Sequence, residues 1–123
     1  MAKVTGLGGV FYKVEDVERS KRWYKEMLGI GGEWGIMFQF DDVSGGYSLL
    51  SPFAADSDYF APSAKPFMLN LRVDDLDGLI ADLEAKGVEI LGRQDDPYGR
   101  FAWILDCDGV KLELFEPAPE QAT

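Results

Sequence analysis

The stretch "FMLNLRVDDLDGLIADLEAKG", residues 67–87, carries two periodicities in succession. In its first seven residues Leu69, Leu71 and Val73 alternate with Met68, Asn70 and Arg72, the period of a β-strand. From Asp75 onward Leu76, Leu79, Ile80 and Leu83 recur three and four residues apart, the period of a helix that buries one face. Asp75 is placed to cap that helix, because a short carboxylate accepts from the free N–H groups of the first turn. Gly87 ends it, since glycine enters left-handed backbone without a Cβ clash. The stretch therefore predicts one strand followed by one helix.

The same unit stands earlier in the chain. "LGGVFYKV" at 7–14 alternates and leads into "EDVERSKRWYKEMLGI" at 15–30, where Asp16 is the cap, Val17, Tyr24, Met27 and Leu28 recur at helical spacing, and Gly29 is the stop. An offset of 59 carries Val10 to Leu69, Tyr12 to Leu71, Val14 to Val73, Asp16 to Asp75 and Val17 to Leu76. Further along, an offset of 65 carries Phe38 to Trp103, Phe40 to Leu105, Leu49 to Leu114 and Pro52 to Pro117. Each half thus reads as a strand, a helix and about three more strands. The later strands are expected near Glu33–Trp34, Ile36–Phe40 and Tyr47–Ser51 in the first half, and near Val88–Arg93, Arg100–Leu105 and Val110–Glu116 in the second. "FAADSDYFAPSAKP" at 53–66, rich in Ala, Ser, Asp and Pro, reads as the connection between halves.

The expected fold class is α+β: paired βαβββ modules, with eight strands and two main helices forming a cleft. A single domain over 1–123 would comprise module one at about 5–53, a connection at 54–66 and module two at about 67–117. A length of 123 residues suits one domain, and hydrophobic and aromatic contents of 46% and 13% suit a folded one. The formal net charge of −10, from 12 basic and 22 acidic residues, argues against nucleic acid and anionic membrane surfaces as partners. Cys107 is the single cysteine and there is no histidine, which excludes an internal disulfide, a multi-thiolate zinc site and imidazole acid–base chemistry. The amino terminus "MAKVTGLGGV" lacks the apolar core of a signal peptide, and no run of about 18 apolar residues is present. A soluble protein of the reducing cytoplasm is expected.

Alternation divides each strand into two faces, one of which the helices must cover. Val10, Tyr12 and Val14 make the better helix-facing set in the first strand, and Leu69, Leu71 and Val73 in the fifth. That leaves Gly9, Phe11 and Lys13, and Met68, Asn70 and Arg72, for the cleft. In the last strand, "KLELFEP" at 111–117, Leu112 and Leu114 face the helix, so Glu113 points into the cleft with Lys111 and Phe115. Ser48 and Leu50 are assigned to the cleft from the fourth strand, with Phe38, Phe40, Phe101 and Trp103 from the strands before the turns. The predicted ligand-binding set is Phe11, Phe38, Ser48, Met68, Asn70, Arg72, Phe101, Trp103 and Glu113. Such a lining, apolar and aromatic with few polar groups, suits a small organic ligand.

With its paired modules, "VEDVERSKRWYKEMLGI" at 14–30 and "DPYGRFAWILDCDGVKLELFEP" at 96–117, the sequence resembles the vicinal oxygen chelate superfamily over roughly residues 5–117. That group includes glyoxalase I, extradiol dioxygenases, fosfomycin resistance enzymes and bleomycin resistance proteins. The resemblance implies metal-ligand positions on the first, fourth, fifth and eighth strands, which here fall on Gly9, Ser48, Met68 and Glu113. Only Glu113 is a usual ligand. Gly9 offers no side chain, Met68 a thioether that borderline and hard metals disfavour, and Ser48 a weak neutral oxygen. No metal and no cofactor are therefore expected. At the last turn relatives often carry Asp-Pro-x-Gly-Asn where this chain has Asp106, Cys107, Asp108, Gly109 and Val110, and Gly109 should preserve the turn.

The reading followed is a cytoplasmic, metal-free binding protein like the bleomycin resistance proteins, a homodimer holding a small organic ligand by stacking on Trp103 and Phe38, with Glu113 as counter-charge. The alternative is a glyoxalase-type lyase or isomerase with Glu113 as base or metal ligand. There, desolvation would raise the Glu113 pKa toward neutrality, and Tyr98 or Tyr59 would be its acid partner. A third is an interaction subunit with no ligand.

Overall fold

The computed structural model describes residues 2–29, 31–32, 36–39 and 47–118, the side chains of 36–39 and 47 excepted. Seven strands and two helices are described: β1 (Val4–Val14), α1 (Val17–Leu28), β2 (Ile36–Gln39), β3 (Tyr47–Ala54), β4 (Phe67–Val73), α2 (Leu76–Ala85), β5 (Gly92–Asp96), β6 (Gly99–Leu105) and β7 (Lys111–Pro117). The expected strand at Glu33–Trp34 lies outside the described residues, as does Phe40.

All seven strands form one mixed sheet in the order β2-β3-β1-β4-β7-β6-β5. In each half the strand before the helix is parallel to the last strand, β1 with β3 and β4 with β7. The two halves meet at the antiparallel pair β1/β4, where Val10 pairs with Leu69 and Phe11 with Met68. Val10 and Leu69 are also the residues the offset of 59 equates, so a pseudo-twofold axis passes between them.

Both helix ends follow the local chemistry of the sequence. The Asp16 carboxylate accepts from the Arg19 N–H at 3.0 Å, and Gly29 closes α1 at φ 70°. At α2 the Asp75 carboxylate accepts from Gly78 N–H at 3.1 Å, and Glu116 of β7 accepts from Leu76 N–H at 2.7 Å. One helix is thereby fastened to the sheet that it covers.

Each face of the sheet carries its own apolar cluster. On one face Leu76 and Ile80 of α2 pack on Val73, Ala102, Ile104 and Leu114, with Leu79, Leu83, Val88 and Ile90 around them. Each fully buried Val, Leu or Ile side chain among them contributes about 1.5–3 kcal/mol by leaving water. On the other face Phe11, Met68 and Phe60 form a second cluster, extended by Phe53, Tyr59 and Trp103. Phe60 comes from the 55–66 connection and is fully buried, so this segment is a packed element of the fold as well as a link between halves.

Three expectations are corrected. The strand placed at Val88–Arg93 begins at Gly92 and runs to Asp96, because β5 must pair with β6 across the Asp96–Gly99 turn; Val88 and Ile90 instead return the chain over α2. Met27 and Leu28 of the α1 stripe are exposed, and no α1 residue is buried among the described ones. The third concerns β3. Its parallel register places Leu49 beside Gly9, Ser51 beside Phe11 and Phe53 beside Lys13. Partners in register share a face, so Leu49, Ser51 and Phe53 accompany Phe11, whereas Ser48 and Leu50 point to the opposite, helix-covered side.

Candidate functional site

The side chains that the sequence brings to the Phe11 face converge on Glu113. β4 and β7 run parallel with Asn70 beside Glu113, and β6 lies antiparallel on the far side with Trp103 opposite the same residue. A carboxylate in the middle of three central strands is thus flanked by an amide and an indole on the same face. Glu113 is 3% exposed and Asn70 7%.

A carboxylate removed from water must find donors, and this one has three. Asn70 Nδ2 donates to Oε1 at 2.7 Å, Trp103 Nε1 donates to Oε2 at 2.9 Å, and the Tyr59 hydroxyl also donates to Oε2. The Asn70 amide is set in place by the backbone of β1: a Cβ added at Gly8 would stand 2.0 Å from Asn70 Oδ1, so only glycine leaves room there.

Lys111, two residues before Glu113 on the same face, is 9% exposed and donates from Nζ to the backbone carbonyl of Tyr59 at 2.5 Å. Its ammonium lies 5.1 Å from the centre of the Tyr59 ring and 5.9 Å from that of Trp103, the geometry of a cation over aromatic faces. Desolvation holds its pKa below the ordinary lysine value, with the Glu113 and Asp58 charges opposing that shift. The Tyr59 phenol is pushed the other way, well above the ordinary tyrosine range, first by burial and then by the negative charge of Glu113. It is fixed as a protonated donor.

Around this polar centre the rings are arranged in two groups. Tyr59 stacks on Phe53 with centroids 5.4 Å apart and meets Trp103 edge-on at 6.3 Å, while Phe11 lies 5.2 Å from Phe53. Phe101 stacks on Phe115 at 4.8 Å and on Trp103 at 6.3 Å.

Of the predicted set, Phe11, Met68, Asn70, Phe101, Trp103 and Glu113 lie together on this face, with Arg72 further along β4 beside Phe115. The Phe38 side chain lies outside the described residues. Ser48 lies on the opposite face, and Ser51, 5% exposed, stands where it was expected. Sequence reading missed Ser51, Phe53 and Phe60 and gave Tyr59 only an alternative role; two adjacent aromatics, Tyr59 and Phe60, inside a polar connection were the available signal. Tyr98 is 44% exposed in the β5–β6 turn. Cys107 is exposed in the last turn, where Gly109 adopts φ 82° and the Asp106 carboxylate accepts from Asp108 and Val110 N–H at 2.8 and 2.9 Å.

The donor set does not fit a catalytic divalent ion. Among the described residues Glu113 is joined at this point by no second carboxylate that contacts it, both of its oxygens are engaged by N–H and O–H donors, and a buried ammonium lies on the same strand face. Among the described residues no group of three or more His, Cys, Asp or Glu side chains is disposed to hold a metal. A side chain at Gly9 would need the backbone to shift, since its Cβ would lie 2.7 Å from the Leu49 carbonyl oxygen. No helix among the described residues is long and apolar enough to cross a membrane.

A family model described as Glyoxalase/Bleomycin resistance protein/Dioxygenase superfamily matches residues 6–114. Among solved structures the chain is similar to methylmalonyl-CoA epimerase from Mycobacterium tuberculosis, at 26% identity and a TM-score of 0.68 over 97% of this chain and 92% of that one. It is also similar to a variant of Streptomyces coelicolor methylmalonyl-CoA epimerase in complex with 2-nitronate-propionyl-CoA, at 20% identity and a TM-score of 0.72 over 95% and 97% of the two chains. A third likeness is to the Mn(II)-bound glyoxalase from Novosphingobium aromaticivorans, at 22% identity and a TM-score of 0.63, covering 94% of this chain and 40% of that one. The last two likenesses speak to the fold alone. No curated protein sequence gives a significant match.

Proposed function

The chain belongs to the glyoxalase/bleomycin resistance protein/dioxygenase superfamily, and from that premise we propose that it binds a small organic ligand on the aromatic face around Glu113 without a catalytic metal. One observation carries this reading: a nearly buried carboxylate whose oxygens accept from Asn70, Trp103 and Tyr59, set among aromatic rings and, among the described residues, joined by no group of metal-binding side chains. Aromatic surface supplies affinity by stacking and dispersion, and a fixed carboxylate supplies orientation. The same reading makes the protein a cytoplasmic homodimer, acting as one paired-module domain; Val4, Leu7 and Phe67, exposed along β1 and β4, are apolar surface that a second copy could cover.

The test is a thermal-shift and calorimetric screen of small aromatics against the wild type and Glu113→Gln, each before and after dialysis against EDTA. Binding that survives EDTA and weakens in Glu113→Gln is expected. Stoichiometric nickel, zinc or manganese lost together with binding would refute the metal-free reading. A mass measurement in solution that gives the monomer at micromolar concentration would refute the dimer.

The 26% identity to an epimerase over nearly the full length of both chains favours one second reading, an isomerase or lyase of the glyoxalase type. Glu113 would then take a proton from carbon next to a carbonyl, using the lone pair its three donors leave. Exchange of such a proton for deuterium in heavy water, abolished by Glu113→Gln, is its signature.

A further inference from the structure

Within the reading of a metal-free binding site, the class of ligand can be named from what fills the slot beside Glu113. That occupant is the phenol of Tyr59. Its ring lies stacked on Phe53, edge-on to Trp103 and under the Lys111 ammonium, and its hydroxyl donates to Glu113 Oε2. Among the described residues, the groups that touch the Tyr59 ring and hydroxyl, Phe11, Phe53, Trp103, Lys111 and Glu113, come from sheet strands, whereas Tyr59 comes from the connection between β3 and β4. Tyr59 is only partly buried, so its side chain is in reach of solvent.

The backbone that carries the ring is anchored independently of it. Phe60 is fully buried in the Phe11–Met68 cluster, Lys111 Nζ holds the Tyr59 carbonyl, and Ser63 Oγ donates to Gly109 O at 2.5 Å. None of these three anchors involves the Tyr59 side chain, so turning that side chain out of the slot would break none of them. The slot also has a definite charge preference. Lys111 already stands near Glu113, so a ligand cation would meet an ammonium as well as a carboxylate, whereas a neutral O–H donor meets only the acceptor it needs. The electron-rich face of a phenol further suits the ammonium above it.

We propose that the protein's ligand is a neutral phenol that takes the seat the Tyr59 side chain fills, with its hydroxyl donating to Glu113 and its ring between Phe53 and Trp103. Tyr59 is the built-in competitor for that seat, and its hydrogen bond to the carboxylate sets the threshold a ligand must exceed.

The experiment uses the full chain as wild type, Tyr59→Phe, Tyr59→Ala and Glu113→Gln, with p-cresol, toluene and benzylamine as probes in calorimetry. Tyr59→Phe, which keeps the ring and loses the bond to Glu113, should bind p-cresol about tenfold tighter than wild type, and Tyr59→Ala tighter still. In Tyr59→Ala, toluene and benzylamine should each bind at least about tenfold more weakly than p-cresol. Glu113→Gln should abolish the preference for the hydroxyl. Tyr59→Phe provides the measurement should the alanine variant fail to fold. Equal binding of p-cresol and toluene, unchanged p-cresol affinity in Tyr59→Phe, or tightest binding by benzylamine overturns the proposal. If such binding still depends on Glu113, the broader reading of an organic-ligand site stands; if no probe binds any variant in a Glu113-dependent manner, both fall.

Discussion

Replacing Glu113 by alanine removes the common acceptor of three donors, and the cost can be worked from their surroundings. A buried donor left without a partner costs about 1–3 kcal/mol. Asn70 is nearly buried and takes the upper part of that range; Trp103 and Tyr59 are only partly buried, so water reaches them and they take the lower part. Lys111 loses its nearby countercharge at the same time. The sum is about 3–5 kcal/mol, the size expected when one member of a buried charged pair is removed. Glu113→Gln keeps the shape and one oxygen for Trp103 and Tyr59, and Asn70 can turn its carboxamide to face the new NH2 group. What is lost is the charge, both its assistance to the hydrogen bonds and its pairing with Lys111, about 1–2 kcal/mol. Urea unfolding followed by circular dichroism should show an unchanged slope and, at about 2 kcal/mol per molar, a midpoint lowered by roughly 2 M for alanine and under roughly 1 M for glutamine. An alanine variant as stable as the wild type would refute the reasoning: burying the carboxylate would then cost as much as its three hydrogen bonds return.

Other consequences are open to similar measurement. Phe60→Ala opens a void in the second cluster and should cost about 3–5 kcal/mol, lowering the thermal midpoint by on the order of 10–20 °C; a change under about 3 °C would make the connection peripheral to the fold. Gly8→Ala must push Asn70 away from Glu113 and is expected to destabilise by about 1–3 kcal/mol, whereas Gly6→Ala, with nothing within 4 Å of its new Cβ, should stay within about 0.5 kcal/mol of wild type. Equal effects at the two glycines would remove the steric argument. At alkaline pH the folded state holds the Tyr59 proton well above the ordinary value and the Tyr12 proton up to about 12, so both groups stay protonated after the unfolded chain has lost theirs. Stability from these groups is fully present below about pH 10 and falls as pH rises past it; Lys111, shifted down, works in the opposite sense just below its ordinary value. Tyr59→Phe should flatten the decline between pH 10 and 11.5, and an unaltered slope would assign it to other groups.

Much of this arrangement can be read from residue alternation. The faces of β1, β4, β6 and β7 follow from the period of two, and with them the meeting of Phe11, Met68, Asn70, Trp103 and Glu113. The offset of 59 is physically exact, since Val10 and Leu69 pair across the axis it implies. The offset of 65 misleads for β3. Phe11 pairs with Ser51 and Asn70 with Glu113, so once 59 is applied to the first strand of each half, the last strands differ by 113 − 51, or 62. The error is three residues, an odd number, and an odd slip turns every side chain to the other face. Leucine is abundant in both β3 and β7, so apolar matching alone could not separate the two registers. Tyr59 and Phe60 were obscured for a different reason. Their segment has the composition of a surface link, and its one local signal, two adjacent aromatics, does not say where in the sheet tertiary burial will draw them.

One consequence follows from the way β7 holds the connection. Lys111 takes the carbonyl of Tyr59 and Glu113 takes its hydroxyl, so two positions on one strand grasp both ends of a single residue. The chain from the end of β3 at Ala54 to Tyr59 therefore has a fixed length: lengthening or shortening it by one residue offers a different carbonyl to Lys111 and a side chain on the wrong side to Glu113. Loop insertions in this protein are expected to be accepted in the β5–β6 turn around Pro97 and Tyr98, and rejected in the few residues before Tyr59, although both stretches look equally dispensable by composition.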